Sequence, residues 1–225
     1  MTFSIVGRCA RCGQFGVAIT TSSISVGARC PHVRAGVGAV TTQNVTNPSL
    51  GPAVLDRLQS GLGAGDALRV VMGVEEFPEY RQVAVVDARG DTAIHTGEKI
   101  LGRHAEAVGT DCIAAGNLLA STDLPRAMCT AFADAASRSL PDRLLTALEA
   151  GIASGGEEGE THSAALLVAG AQPFPLVDLR VDWADTETVP TLRRLWTNYD
   201  PQMQAYLDRA INPSAAPSYG VPGDP

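Results

Sequence analysis

Apolar runs of strand length alternate with turn residues along much of the chain. FSIVGR and FGVAIT, separated by CARCGQ, predict a hairpin within the first 20 residues, and residues 81–97 predict a second hairpin that turns at 88–90. Further strands are predicted at 37–43, 107–117, 162–170 and 175–183, after a predicted loop at 26–36. The GGEEGE stretch at 155–160 is predicted to be a solvated connector.

Apolar residues recur at helical spacing in other parts of the chain. A helix is predicted to begin near Gly51 or Pro52, because proline suits a first helical turn and the apolar positions that follow are Val54, Leu55, Leu58 and Leu62. A second helix is predicted around 66–72, a helical region at 123–154 is broken near 140–141, and an amphipathic helix lies near the end of the chain.

The order of these elements bears on the fold class. Hairpins separated by paired helices predict an α+β fold of antiparallel sheets with helices packed outside, rather than an alternating βαβ fold. We expect one domain over residues 1–211, followed by a mobile tail at 212–225 that is rich in Pro, Ser and Gly.

Composition excludes several classes of protein. With 45% hydrophobic and 18% charged residues, the 225-residue chain can bury a sizeable core. A net charge of -7 argues against a general nucleic-acid binder, and no apolar run approaches the roughly 20 residues of a membrane-spanning helix. Without a visible secretory signal, the five cysteines are expected to be reduced thiols in a cytoplasmic protein. A small-molecule substrate or ligand is the expected partner.

Thr2 is the sharpest candidate for chemistry. Methionine is commonly removed before small residues, and removal here would leave Thr2 with a free α-amine. The reference pKa of such an amine is about 7.7–8.0, close enough to neutral for it to accept the hydroxyl proton. One residue would then supply both nucleophile and base. The alternative is that Thr2 simply starts a strand.

Polar residues inside or beside the apolar strands form a second set of candidates. They are Gln43, His95, Asn117 and Ser163, whose burial would demand hydrogen-bond partners. A buried amide can donate to a developing oxyanion, and a hydroxyl can relay a proton to an amine. Taken singly, each such residue is more often a structural polar group whose hydrogen bonds are satisfied.

Two cysteines resemble half of a zinc site. Cys9 and Cys12 could share one tetrahedral ion, but the chain contains no second CxxC and no HxxxH to complete it. A hairpin turn that carries two cysteines is the favoured interpretation, and we expect neither a metal nor a cofactor.

The motifs together closely resemble a bacterial family known chiefly as a domain of unknown function with an Ntn-hydrolase-like fold. The resemblance extends from about Thr2 to Leu195 and is carried, in order, by MTFSIVGR, GVAITTSSISVG, RAGVGAVTTQNVTNPSLGPAVLDRLQSG, RQVAVVDARGDTAIHTGE, AAGNLLA, HSAALLVAG and PLVDLRVDW. It implies a four-layer αββα sandwich of two antiparallel sheets between helical layers. It also implies that Thr2 lies where such hydrolases carry their nucleophile, and that the chemistry is hydrolysis of amide-like C–N bonds.

The resulting hypothesis is an Ntn-type amidohydrolase that cleaves a non-peptide or small amide bond through an acyl-enzyme on Thr2. Asn117 would stabilise the oxyanion and Ser163 would relay a proton, with Ser22 as an alternative relay. Ser22, Gln43 and His95 would line the substrate pocket. The alternative is a non-catalytic small-molecule binding or assembly protein on the same fold.

The last helix carries more apolar residues than a lone edge helix needs. These are Leu192, Leu195, Trp196, Tyr199 and Tyr206. A homo-oligomer and packing on the same chain explain them equally well.

Overall fold

The computed structural model describes residues 1–221, and residues 222–225 of the predicted mobile tail lie outside it. The strands are β1 (Thr2–Cys9), β2 (Gln14–Thr21), β3 (Pro31–Arg34), β4 (Gly38–Asn44), β5 (Arg81–Asp87), β6 (Thr92–Thr96), β7 (Ala105–Gly109), β8 (Cys112–Asn117), β9 (Ser163–Ala169) and β10 (Pro175–Val181). The helices are α1 (Leu50–Gln59), α2 (Ala64–Met72), α3 (Leu124–Asp134), α4 (Leu140–Ala153) and α5 (Thr188–Ile211).

The strands form two antiparallel sheets. One has six strands in the order β10-β9-β2-β1-β8-β7, and the other has four in the order β3-β4-β5-β6. The predicted α+β class with antiparallel sheets is thereby confirmed. Within residues 1–221, no helix combines the length and the apolar character needed to span a membrane.

Two local predictions differ from the structure. The single strand predicted at 107–117 is a tight hairpin, because Asp111 adopts a positive φ of 58° and reverses the chain between β7 and β8. The predicted loop at 26–36 contains β3, which pairs with β4 at the edge of the smaller sheet. Both differences arise where short strands carry too few residues to show clear alternation.

The helices cover the outer faces of the sheets. Helices α3, α4 and α5 pack on the six-stranded sheet, and α1 and α2 pack on the four-stranded sheet. A third apolar cluster joins the two inner faces, and it includes Val6, Val17, Ile19, Ala39, Val86 and Ile113. The core is therefore divided into three layers of side chains.

Alternation along β1 decides what faces the second sheet. Phe3 and Ile5 point to the helices, whereas Val6 points to the space between the sheets. Because successive side chains in a strand point to opposite faces, Thr2 and Ser4 share the inner face with Val6. The inner face is thus apolar in the middle and polar at the end where β1 begins.

Candidate functional site

Four polar residues form a row across the six-stranded sheet. Thr2 lies directly opposite Thr21 on one side and Asn117 on the other, and Thr21 lies opposite Ser163. Directly paired residues of antiparallel strands present their side chains on the same face. The register therefore brings Thr2, Asn117 and Ser163, all three predicted catalytic residues, into one row on the inner face, with Thr21 between Thr2 and Ser163.

The carbonyl group of Met1 is held by two hydroxyl groups. The Oγ1 of Thr2, a residue only 7% exposed, lies 2.6 Å from the carbonyl oxygen of Met1 and donates to it. The hydroxyl of Thr21 donates to the same oxygen, and its Oγ1 is 3.0 Å from that of Thr2. A carbonyl thus lies beside the hydroxyl of the predicted nucleophile, with a second donor on its oxygen.

Asn117 belongs to a buried network of amide groups that links the two sheets. The Oε1 of Gln82 accepts from Asn117 Nδ2 at 3.4 Å and from Gln43 Nε2 at 2.7 Å, and Gln43 Oε1 accepts from the Ser4 hydroxyl at 2.7 Å. Asn117 Oδ1 is buried without a hydrogen-bond partner in residues 1–221. The network therefore uses the donor of Asn117 and leaves its acceptor available.

Ser163 and Ser22 have different surroundings. The Ser163 hydroxyl donates to the carbonyl of Ser23 at 2.6 Å and accepts from the backbone N–H of Val26 at 3.0 Å. Both bonds hold the segment that follows β2, so the hydroxyl is occupied by backbone groups. The backbone amide of Ser22 lies close enough to Glu157 to favour its carboxylate, without meeting the geometry of a hydrogen bond.

His95 is not brought to the row. It pairs with Val83, whose side chain belongs to the apolar cluster of α1 and α2, so His95 lies on the outer face of the smaller sheet. Its Nε2 donates to the carbonyl of Pro78 at 2.8 Å. Gln43, by contrast, lies at the inner face and reaches the neighbourhood of Asn117 through Gln82.

Glu157 is a buried acid that the sequence does not single out, since it lies in the predicted solvated connector. Its side chain belongs to a residue only 6% exposed, and neither carboxylate oxygen has a hydrogen-bond partner in the part of the chain that the structure describes. Burial raises the pKa of Glu157 to about 8, against the opposing influence of the Met1 amino group and the Ser22 backbone amide. An acid held this way marks a candidate functional position.

The side chain of Met1 lies against the same loop. A Cβ built on Gly159 would lie 3.0 Å from Met1 Cε and 3.6 Å from Met1 Sδ, with no other group within 4 Å in residues 1–221 apart from the chain neighbours of Gly159. The loop that carries Glu157 and Gly159 therefore lies beside Met1, with the thioether at Gly159, the carbonyl oxygen at Thr21 and the amino group more than 4 Å from the Glu157 carboxylate.

The alternatives to this site, a surface cleft and a pair of cysteines, lie away from Thr2. A cleft of about 520 Å³ is lined by residues that include Arg34, Gln59 and Phe174, at the end of the sandwich remote from Thr2. Cys9 and Cys12 are free thiols, and no group of three or more His, Cys, Asp or Glu residues within 1–221 is placed to hold a metal ion.

The chain resembles known proteins in both sequence and structure. The model of a family of unknown function, DUF1028, matches residues 2–192. The chain belongs to the DUF1028 family. The crystal structure of protein SPO2555 from Silicibacter pomeroyi, itself described as a DUF1028 protein, is 29% identical and superposes with a TM-score of 0.81, covering 88% of each chain.

A second solved structure is more distant. Anbu, the ancestral beta-subunit from Yersinia bercovieri, is 12% identical, with 91% of this chain and 97% of that chain covered and a TM-score of 0.39. A score this low does not establish a shared fold. No curated protein matches the chain. The chain therefore has the fold of the DUF1028 family.

Proposed function

We propose that this DUF1028 protein is an N-terminal-nucleophile amide hydrolase, active once the Met1–Thr2 bond has been cleaved. In this proposal the two sheets and their helical layers form a four-layer αββα sandwich of the Ntn-hydrolase-like kind. The substrate is a small or non-peptide amide, and Thr2 carries the acyl group between the two half-reactions.

The arrangement around the Met1 carbonyl is the observation that supports this function. The hydroxyls of Thr2 and Thr21 both donate to its oxygen, at the polar end of the inner face. A substrate carbonyl that replaces the Met1 carbonyl would meet a nucleophilic oxygen and a hydrogen-bond donor already in position.

The chemistry uses both ends of Thr2. In the cleaved chain, Thr2 Oγ1 attacks the amide carbonyl carbon while the α-amine takes the hydroxyl proton. The C–N bond of the tetrahedral intermediate then breaks, and the ammonium returns the proton to the leaving amine. Water, deprotonated by the same α-amine, hydrolyses the ester on Thr2 and releases the acid.

The neighbours of Thr2 have separate tasks in this scheme. The Thr21 hydroxyl donates to the oxyanion, as it does to the Met1 carbonyl. Asn117, whose Nδ2 is directed at Gln82, accepts from the α-amine through its unpaired Oδ1. Ser163 acts as a positioning residue that holds the backbone after Thr21.

Intact-mass spectrometry tests the proposal. The chain is produced with Thr2 as its first residue, using a cleavable leader, and is incubated with a library of small amides. An adduct of acyl mass is expected on the chain that starts at Thr2. It should be absent from the Thr2→Ala variant and from the chain that retains Met1, which has the same side chains but no free Thr2 amine.

Two results would overturn the proposal. The first is that protein isolated from its native host retains Met1. The second is that the Thr2→Ala variant turns over amides as fast as the active parent protein. Either result would favour a binding or assembly protein on the same fold, because the Met1 amide blocks the nucleophile.

A further inference from the structure

We propose that the site selects amides whose acyl part carries an amino group on the carbon next to the carbonyl, and that Glu157 binds this amino group. The inference rests on the proposed function, since it names the substrate class of that same site. Such compounds are α-amino acid amides, including the amide formed by the N-terminal residue of a small peptide.

Met1 occupies the position that a substrate of this class would take. Its carbonyl oxygen accepts from Thr2 and Thr21, its α-amino group lies near enough to Glu157 to favour the carboxylate, and its thioether lies at Gly159. An α-aminoacyl group therefore already occupies the space beside the nucleophile. It carries the three parts that a bound substrate of this class would present.

The acyl group of Met1 also lies close to where an acyl-enzyme would form. Met1 is bonded to the nitrogen of Thr2, and the ester would be bonded to Oγ1 of the same residue. Because the Met1 carbonyl oxygen is 2.6 Å from that Oγ1, moving the acyl group from one atom to the other requires only a short displacement. We therefore expect an acyl group on Thr2 to contact the same groups that Met1 contacts.

Glu157 is a buried acid without a hydrogen-bond donor in the described part of the chain. Buried carboxylates in folded proteins are normally paired or hydrogen-bonded, yet Glu157 is 6% exposed and its oxygens lack a partner within residues 1–221. Removal of Met1 would take away the amino group that favours the charged form of Glu157 and leave the α-amine of Thr2 one residue further along the chain. A substrate ammonium would give the carboxylate the hydrogen-bond donor that it lacks in the described chain.

Gly159 accounts for the substituent next to the amino group. Gly159 is exposed, and apart from its chain neighbours only the Met1 side chain within residues 1–221 would lie within 4 Å of a Cβ built there, so the occupant of the site borders Gly159 at the protein surface. A larger residue at 159 would shorten the space that the occupant takes without disturbing the fold. Side chains about the length of methionine fit there.

Binding to an inactive chain tests the inference without relying on turnover. The chain is prepared to start at residue 2 with Thr2→Ala, and titrated by calorimetry with L-methioninamide and with 4-(methylsulfanyl)butanamide, which lacks only the amino group. We expect methioninamide to bind at least about tenfold more tightly, as a hydrogen bond to a charged group predicts. Adding Glu157→Gln should remove this preference while leaving the affinity for the butanamide unchanged.

Gly159→Ala supplies a second variant. It should weaken methioninamide relative to glycinamide, because the new methyl group occupies the space of the substrate side chain. Since Glu157→Gln is isosteric and the added methyl of Gly159→Ala meets only Met1 within residues 1–221, apart from its chain neighbours, circular dichroism and thermal unfolding should show both variants folded.

The possible outcomes separate the two proposals. Equal affinity for the two probes, or equal weakening of both by Glu157→Gln, would overturn the role of Glu157 in selection, even if acyl-enzyme forms on Thr2 from other amides. Selective binding that depends on Glu157 would support it, even if no acyl-enzyme is ever detected and the proposed hydrolysis fails.

Discussion

The hydroxyl oxygens of Thr2 and Thr21 lie 3.0 Å apart, and both hydroxyls donate to the carbonyl oxygen of Met1. The pairing follows from the first hairpin, in which Thr2 and Thr21 are opposite each other at the open end. One residue of this pair is the proposed nucleophile. The other is placed to stabilise the charge that develops when the nucleophile attacks.

Replacing Thr21 by valine should slow acylation with little effect on the fold. In the chain that starts at Thr2, Thr21→Val is expected to lower the single-turnover acylation rate by about a hundredfold, the usual effect of losing an oxyanion donor. Thr20→Val is the matched control, because Thr20 lies on the helix-facing side and donates to the backbone of Ser163. Similar losses in both variants would contradict a catalytic role for Thr21.

Asn117 should control the pKa of the freed α-amine. A carboxylate in its place would favour the charged ammonium, so Asn117→Asp should raise the amine pKa and shift the acid limb of the kcat/KM profile to higher pH by about one unit. The surface variant Asn198→Asp adds the same charge on α5 and should leave the profile in place. A profile that does not move in Asn117→Asp would remove Asn117 from the neighbourhood of the amine.

Alternation and turn chemistry made much of this architecture predictable. The hairpin of β1 and β2 could be predicted from the sequence because both strands are apolar and the turn carries Gly13, which has a positive φ of 69°. The row of Thr2 and Asn117 could be predicted in part, since each residue lies at an end of an apolar strand. Which strands become neighbours is a long-range property, and no local pattern shows that β8 pairs with β1.

The remainder of the site depends on tertiary contacts. His95 lies in a strand, as expected, but the side of the sheet it occupies is set by packing on α1 and α2. Glu157 lies in a Gly-rich loop whose composition is typical of solvent exposure, and it is buried because the loop folds back against Leu119. Neither fact has a signal in the sequence, because each requires knowing which distant segment covers the residue.

Ser163 should prove important for stability rather than for proton transfer. Its hydroxyl bonds to Ser23 and Val26 are both buried or partly buried, so Ser163→Ala should lower the free energy of unfolding by about 1–3 kcal/mol. Urea unfolding measures this loss, and the pH profile of acylation should keep its shape. A variant of unchanged stability whose acylation rate falls sharply would instead support a proton relay.

Glu157 makes the stability of the folded chain depend on pH. The direction of this dependence follows from the direction of its pKa shift. With a folded-state pKa of about 8 and an unfolded value near 4.3, the folded chain binds more protons between these limits. Stability is therefore expected to fall as pH rises through this window. The only other charged group that influences the carboxyl in residues 1–221 is the Met1 amino group.

In the chain that retains Met1, Glu157→Gln should remove this pH dependence. The variant is expected to match the parent near pH 4 and to be more stable near pH 8, by on the order of a few kcal/mol, because a neutral amide avoids the cost of burying a charge. Urea unfolding at several pH values measures the difference, with Glu158→Gln as the control at the exposed neighbouring position. A stability difference that stays constant with pH, or one shared by Glu158→Gln, would show that Glu157 is ionised at little cost and is not the buried acid described above.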